Sequence, residues 1–214
     1  MKAATTIKNN KWAWPIADEK SWEGQNEYLD LVDHVLPHLK KNNVMIQAGG
    51  NCGLLLSTFV NHFNFIYTFE PDPVNFYCLT QNISSENVFK IQACLGKSNG
   101  TTQTQQLVRP DRPHDTGGVH ICGDGYLPLL SIDSLNLPEC DLIQLDVEGY
   151  ELNALLGAVE AIKKYKPVLC IEFCEKWLNR YDATSEKILN LLRKLNYTHV
   201  ETYGVDRIFV LNEL

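Results

Sequence analysis

No run of about eighteen apolar residues occurs in this chain, so no segment is expected to cross a bilayer. A long basic run is missing too: 19 lysines and arginines stand against 26 aspartates and glutamates, for a net charge of −7. That balance excludes a sequence-independent grip on nucleic acid, whose affinity comes mainly from cationic side chains meeting phosphates. The first eleven residues are polar and hold no apolar stretch with a cleavage site, so no signal peptide is expected. No Cys-x-x-Cys pair occurs either. The cysteines, scattered at positions 52, 78, 94, 122, 140, 170 and 174, read as reduced and mostly buried thiols of a cytoplasmic protein. Asn-x-Ser/Thr triplets starting at Asn82, Asn99 and Asn196 carry no weight without a route to secretion.

What is present is an alternation of apolar runs and helical stripes, in a length of 214 residues that suits one full core. Runs at 44–48, 65–69, 88–94, 141–146 and 167–173 read as strands. Helices are expected over 25–40, 53–61, 73–82, 150–164 and 184–195; in the fourth, Leu152, Leu155, Leu156, Val159 and Ile162 share one stripe. Pro37 falls late in the first helix and is expected to kink or end it. Two β-rich runs, 197–203 and 207–211, are joined by too few residues for a crossover helix and so form a hairpin. The expected fold class is α/β: a mostly parallel sheet with an antiparallel C-terminal strand. Residues 1–24, with Trp12, Trp14 and Trp22, read as an arm outside the core of a domain over 25–214. Residues 97–128 read as an irregular insertion with room for a short hairpin.

The most informative stretch is 44–53, Val-Met-Ile-Gln-Ala-Gly-Gly-Asn-Cys-Gly. It turns a buried strand tightly into an apolar helix, and without side chains at Gly49, Gly50 and Gly53 a ligand can approach the backbone amides. Glu70 follows about twenty residues later at the next strand tip, where one carboxylate can accept both hydroxyls of a ribose. Together they point to an adenosine-containing cofactor. Which one stays open, since Ala48-x-Gly50-x-x-Gly53 is also a passable dinucleotide fingerprint, as in an NAD(P)-binding oxidoreductase.

A second acidic group follows. Asp146 ends the fourth strand on the edge where open α/β sheets bind ligands, and Glu172 ends the fifth strand on the same edge. Glu148 and Glu151 stand where a helix dipole and free amides also favour acids, so capping competes with function there. His114 and His120, in the insertion, are candidate general bases, whereas His34, His38, His62 and His199 read as structural. The tryptophan arm reads either as a lid over the pocket or as a packing or dimer contact. No spacing among the oxygen-rich residues demands a metal, and none is expected.

Taken in order, several segments resemble one family. They are the turn at 49–53, Phe69-Glu70-Pro71-Asp72-Pro73, Ala93-Cys94-Leu95-Gly96 and Ile132-Asp133-Ser134-Leu135. Ile143-Gln144-Leu145-Asp146-Val147-Glu148-Gly149-Tyr150-Glu151 and Pro167-Val168-Leu169-Cys170-Ile171-Glu172 complete the set. The chain thus resembles the FkbM-like family of class I S-adenosylmethionine-dependent methyltransferases, over roughly residues 42–175. The resemblance implies a single Rossmann-like domain with a mostly parallel seven-stranded sheet, an antiparallel C-terminal strand and helices on both faces. It implies S-adenosyl-L-methionine as cofactor and O-methylation of a small molecule, sugar or glycan; charge balance and the lack of a long apolar run leave no nucleic-acid or membrane partner expected. Gly49, Asn51 and Gly53 would border the methionine moiety, Glu70 would take the ribose, and Asp72 with Cys94 and Leu95 would flank the adenine. Asp146 would face the methionine ammonium, the acceptor hydroxyl or both; Glu172 and His120 join it as catalytic candidates. Gln47 stands where the family usually has an aspartate that helps hold the ammonium. It brings no charge, and a charge-assisted bond is about twice as strong as a neutral one, so weaker cofactor binding is expected. That departure keeps a non-catalytic binding module among the alternatives.

Overall fold

The computed structural model describes residues 5–9, 11–16, 18, 22, 28–107 and 115–212. His114, Gly24 and the first three residues of the helix expected over 25–40 lie outside them. The chain begins with an antiparallel hairpin, β1 (Thr5–Lys8) and β2 (Trp12–Pro15). A helix, Leu31–Val35, passes at Pro37 into a tighter turn, Leu36–His38, because proline lacks the N–H that would continue it. Then β3 (Val44–Ala48), helix Leu56–Phe59, β4 (Phe65–Phe69), helix Pro73–Asn82 and β5 (Val88–Ile91) alternate, with β3, β4 and β5 parallel neighbours.

The strand expected over 88–94 leaves the main sheet at Ile91. Its last residue instead starts β6 (Cys94–Leu95). The insertion is more ordered than expected: it holds β7 (Gly100–Thr102), β8 (Thr104–Gln106), β9 (Val119–Ile121) and β10 (Leu127–Leu130). β8 and β9 form a hairpin, and β6, β10 and β7 make a small sheet of their own. β11 (Leu142–Leu145) returns to the main sheet.

The single helix expected over 150–164 is two, Glu151–Leu156 and Val159–Tyr165. Gly157 separates them, and a Cβ there would lie 2.0 Å from the carbonyl oxygen of Gly96. The chain ends with β12 (Val168–Glu172), helices Glu175–Leu178 and Ser185–Lys194, and the hairpin β13 (Tyr197–Tyr203) and β14 (Asp206–Leu211). The main sheet has seven strands in the order β13-β14-β12-β11-β3-β4-β5, and only β14 runs against the rest.

Apolar side chains cover both faces of this sheet, as a mostly parallel sheet requires. Ile46, Ile143, Leu145, Leu169 and Ile171 pack with Ala154, Ile162, Ile188 and Leu192 on one face. Met45, Ile66, Leu142, Val168 and Ile208 pack with Leu31, Val35, Phe59 and Leu79 on the other.

The arm is not outside the core. Trp14 has no exposed surface and packs with Ala13, Cys52 and Cys78, its ring edge-on to Trp22 at 5.1 Å. Asn82, at the end of helix Pro73–Asn82, accepts from the Ala13 amide (2.7 Å) and donates to its carbonyl (2.9 Å). Cys52, Cys78, Cys94, Cys140 and Cys170 are buried free thiols, and Cys122 and Cys174 are half-buried ones.

Candidate active site

The carboxyl ends of β3, β4, β11 and β12 meet the start of β14 around a cavity of about 490 Å³, within the roughly 300–1,000 Å³ of small-molecule sites. At its rim β3 gives way to the glycine turn. Gly49 adopts φ +89°, and the amides of Gly49 and Gly50 both donate to the Phe69 carbonyl, at 3.1 and 3.0 Å. A Cβ on Gly49 would sit 1.9 Å from the Asp146 carbonyl oxygen. The bend therefore needs glycine for its own packing, and the same lack of side chain leaves the room above it.

Glu70 points back at that bend. Its Oε2 accepts from the Asn51 amide at 2.7 Å and its Oε1 from the Asp72 amide at 2.8 Å. A carboxylate offers about four acceptor sites, so each oxygen keeps one for a hydroxyl. Burial pushes the Glu70 carboxyl up to about 8, against the pull of those two amides. Cys94 and Leu95 form another wall of the cavity. Bend, acid and wall together fit a nucleoside.

The second half of the cavity is acidic. Asp146 opens into it, and the protein walls around it raise its carboxyl to about 6. Glu172 holds a buried Oε2 with no hydrogen-bond partner; burial, then the charges of Asp146, Glu151 and Glu148, push it up to about 11. Of the two, Glu172 is the one whose burial and negative neighbours most favour keeping the proton. Glu151 does not reach the cavity. Its Oε1 accepts from the amides of Val147 (3.0 Å) and Gly149 (3.1 Å), tying up the loop that carries Glu148.

Of the residues singled out from sequence, the cavity brings together Gly49, Gly50, Asn51, Glu70, Cys94, Leu95, Asp146, Glu148 and Glu172. The others stand elsewhere. Gln47 shares a sheet face with its register partner Gln144 but does not line the cavity; its Oε1 accepts from Thr68 Oγ1 at 2.6 Å. Asp72 caps helix Pro73–Asn82, accepting from the Val74 and Asn75 amides. Gly53 is a packing glycine, since a Cβ there would meet Ile83 and Leu79 below 3.0 Å. On β9, Val119 and Ile121 face the cavity, so strand alternation turns His120 away. There burial, then the Arg180 charge, hold its imidazole below the usual range.

Sequence reasoning missed Gln144, Asp206 and the wall at Thr116. Asp206 starts β14 directly opposite Glu172, a register that no local pattern announces. Burial, then the charges of Asp146 and Glu151, raise it to about 7. Thr116 is held by two distant elements: its carbonyl accepts from Asn75 Nδ2 (2.9 Å), and Asp18 Oδ2 accepts from its amide (2.7 Å) and hydroxyl (2.5 Å). Among the described residues no group of three or more His, Cys, Asp or Glu can hold a metal ion, and no helix is long and apolar enough to cross a membrane.

These raised carboxyls carry a prediction for stability. Glu70, Asp146, Glu151, Glu172 and Asp206 keep protons in the native state that the unfolded chain releases near pH 4. More protons are bound folded than unfolded above that pH, so stability falls as pH rises toward the folded values. The melting temperature of the ligand-free protein is expected to drop steadily from about pH 5 to about pH 8. A melting temperature that climbs across that window in a pH series would contradict this assignment.

Comparison with known proteins agrees with the geometry. Residues 57–198 match the methyltransferase FkbM domain. The chain is 25% identical over 174 residues to the hexuronic acid methyltransferase AglP of Haloferax volcanii, covering 78% of this chain and 69% of that protein. In structure it is similar to the methyltransferase FkbM of Methylobacillus flagellatus KT, with a TM-score of 0.52 and 18% identity. That match covers 79% of this chain and 43% of the other, so this chain spans less than half the length of that relative. TYW2 of M. jannaschii, solved in complex with AdoMet, gives a TM-score of 0.52 at 12% identity over 98% of this chain and 85% of that one. Such distant structures speak for the fold alone, and the reversed strand β14 between β12 and β13 is part of it. With the family match spanning well over half of its residues, the chain belongs to the FkbM methyltransferase-domain family and has the class I S-adenosylmethionine-dependent methyltransferase fold.

Proposed function

We propose that this protein is an S-adenosylmethionine-dependent methyltransferase acting on a hydroxyl of a sugar, glycan or other small molecule. The observation that carries the proposal is Glu70 aimed at the glycine bend on the same cavity as Asp146. Family membership favours S-adenosylmethionine over a dinucleotide, and the likeness to a hexuronic acid methyltransferase supports a carbohydrate acceptor.

When bound, S-adenosylmethionine supplies an electrophilic methyl group on a sulfonium. Glu70 would hold the ribose, and Cys94 and Leu95 would flank the adenine. Asp146 is the base: readier to ionise than Glu172, it can take the proton that the acceptor hydroxyl must lose, a role worth about 10²–10⁴-fold in rate. Glu172, which favours keeping its proton, is a hydrogen-bond donor beside it. The catalytic unit would run over residues 25–214, with the arm at 1–24 bracing the insertion through the bonds from Thr116 to Asp18.

Calorimetric titration with S-adenosylhomocysteine tests the cofactor. Saturable binding is expected, and Glu70→Ala should weaken it at least tenfold, for a loss of about 1.4 kcal/mol or more of hydrogen bonding to the ribose. Saturable binding of NAD(H) with no response to S-adenosylhomocysteine would mark an oxidoreductase. Neither a melting shift in the wild type nor any effect of Glu70→Ala would mark a non-catalytic module.

A further inference from the structure

Gln144 lines the cavity with only 1% of its surface exposed, and its Oε1 is buried with no hydrogen-bond partner. A buried acceptor left unmet is costly, so an amide kept at this position calls for an N–H or O–H from a ligand. A glutamine amide carries its oxygen on one side and its NH2 on the other, and can turn over to present either.

Its place in the sheet decides which part of a ligand comes near. β11 pairs with β3 so that Gln144 stands opposite Gln47, and Leu145 opposite Ala48. One step further on, the Asp146 amide donates to the Ala48 carbonyl at 3.1 Å, and the Asp146 carbonyl oxygen abuts Gly49. Gln144 and Asp146 are two residues apart and so share a face of the sheet. Gln144 therefore sits just behind the glycine bend, on its β11 side. Glu70 stands on the other side of the bend, after β4. With β3 between them, β11 and β4 are two strand spacings apart, about 10 Å.

S-adenosylmethionine held by its ribose at Glu70 has an open chain with which to cross that gap. The chain runs from the ribose through sulfur and ends in an ammonium and a carboxylate. Asp146, two residues along the same face as Gln144, disfavours the carboxylate there and favours the ammonium. Gln47 is no competitor for it, since its Oε1 is taken by Thr68 Oγ1 at 2.6 Å and the residue does not line the cavity.

We propose that Gln144 binds the methionine ammonium of S-adenosylmethionine through its side-chain oxygen, which leaves Asp146 for the acceptor hydroxyl. This rests on the methyltransferase function proposed above and adds a cofactor-binding residue to it. An ammonium has three N–H donors, and one of them meets the orphaned oxygen in a charge-assisted bond, stronger than a bond between neutral groups. The amide suits the place because it adds no charge of its own beside Asp146.

Calorimetric titration of the wild type and of Gln144→Leu, each with S-adenosylhomocysteine and with 5′-methylthioadenosine, tests the inference. Methylthioadenosine keeps the nucleoside and the sulfur but has no amino-acid part. Gln144→Leu is expected to weaken S-adenosylhomocysteine at least tenfold, as for a lost hydrogen bond to a charged group, and to leave methylthioadenosine unchanged. Equal weakening of both ligands, or of neither, overturns the inference. If Gln144→Leu does not fold, the wild type decides with the analogue of S-adenosylhomocysteine in which a hydroxyl replaces the ammonium. About tenfold weaker binding of that analogue is expected when a charge-assisted bond becomes a neutral one, and binding as tight as the parent overturns the inference. Saturable binding of S-adenosylhomocysteine to the wild type then leaves the methyltransferase function standing; its absence brings both down.

Discussion

Asp146→Asn is expected to lower kcat by about 10²–10⁴-fold, the range for loss of a positioned base, while the protein stays folded. Asparagine matches aspartate in size, and the side chain opens into the cavity instead of packing against the core. What it cannot do is accept a proton. With its carboxyl at about 6 in the ligand-free protein, Asp146 should give wild-type kcat/KM a rising limb near that pH, and the variant should lose it. Removing the Asp146 charge also relieves the neighbour that, after burial, does most to raise Glu172. The variant should therefore melt no lower than the wild type at pH 8, since asparagine carries no charge for burial to penalise. The split between constants matters. A fall in kcat with unchanged cofactor affinity assigns Asp146 to the acceptor proton, whereas a rise in cofactor KM alone assigns it to the methionine ammonium. Unaltered turnover takes Asp146 out of the active site.

How far the sequence discloses this site depends on the range of the interaction that sets each residue. The glycine bend and Glu70 are local events, a strand running into a tight turn and an acid at the next strand tip, and both are placed by periodicity and glycine alone. Gln47 is different. All five residues of β3 are buried, so alternation of apolar and polar side chains is silent about which face Gln47 occupies. Its register with Gln144 puts it on the face that carries Asp146, and its bond to Thr68 on the neighbouring strand keeps it out of the cavity. His120 is misplaced for a related reason: without knowing that β9 is a strand, there is no way to see that Val119 and Ile121 take the inward positions. Asp206 looks like a turn residue and becomes part of the site only through its register with Glu172 on another strand. The break at Gly157 comes from a backbone contact with Gly96, far away in the chain. The buried Trp14 likewise depends on Cys52 and Cys78, which local pattern does not bring to it.

Gly49→Ala should combine a large loss of stability with loss of cofactor binding. Two costs add. The φ of +89° is one that an L side chain rarely adopts, at about 1–2 kcal/mol. The new methyl would lie 1.9 Å from a backbone oxygen, that of Asp146, which no rotamer change can move aside; such overpacking costs about 1–3 kcal/mol. Together, roughly 2–5 kcal/mol in a chain of this size lowers the melting temperature by about 4–20 °C. To relieve the clash, the turn must shift away from β11, which pulls the Gly49 and Gly50 amides off the Phe69 carbonyl and the Asn51 amide off Glu70. Affinity for S-adenosylhomocysteine should then fall more than tenfold even in the fraction that stays folded. Gly50→Ala is the control that separates sterics from a general need for glycine. Its φ is ordinary, and its nearest obstacle is the Thr68 hydroxyl at 2.7 Å, the tip of a side chain that can rotate at the cost of its bond to Gln47. It should melt closer to the wild type than Gly49→Ala does. Thermal melts and titrations of both variants check the order, and a Gly49→Ala protein with wild-type melting and affinity would mean that β3 does not close on the Asp146 carbonyl at all.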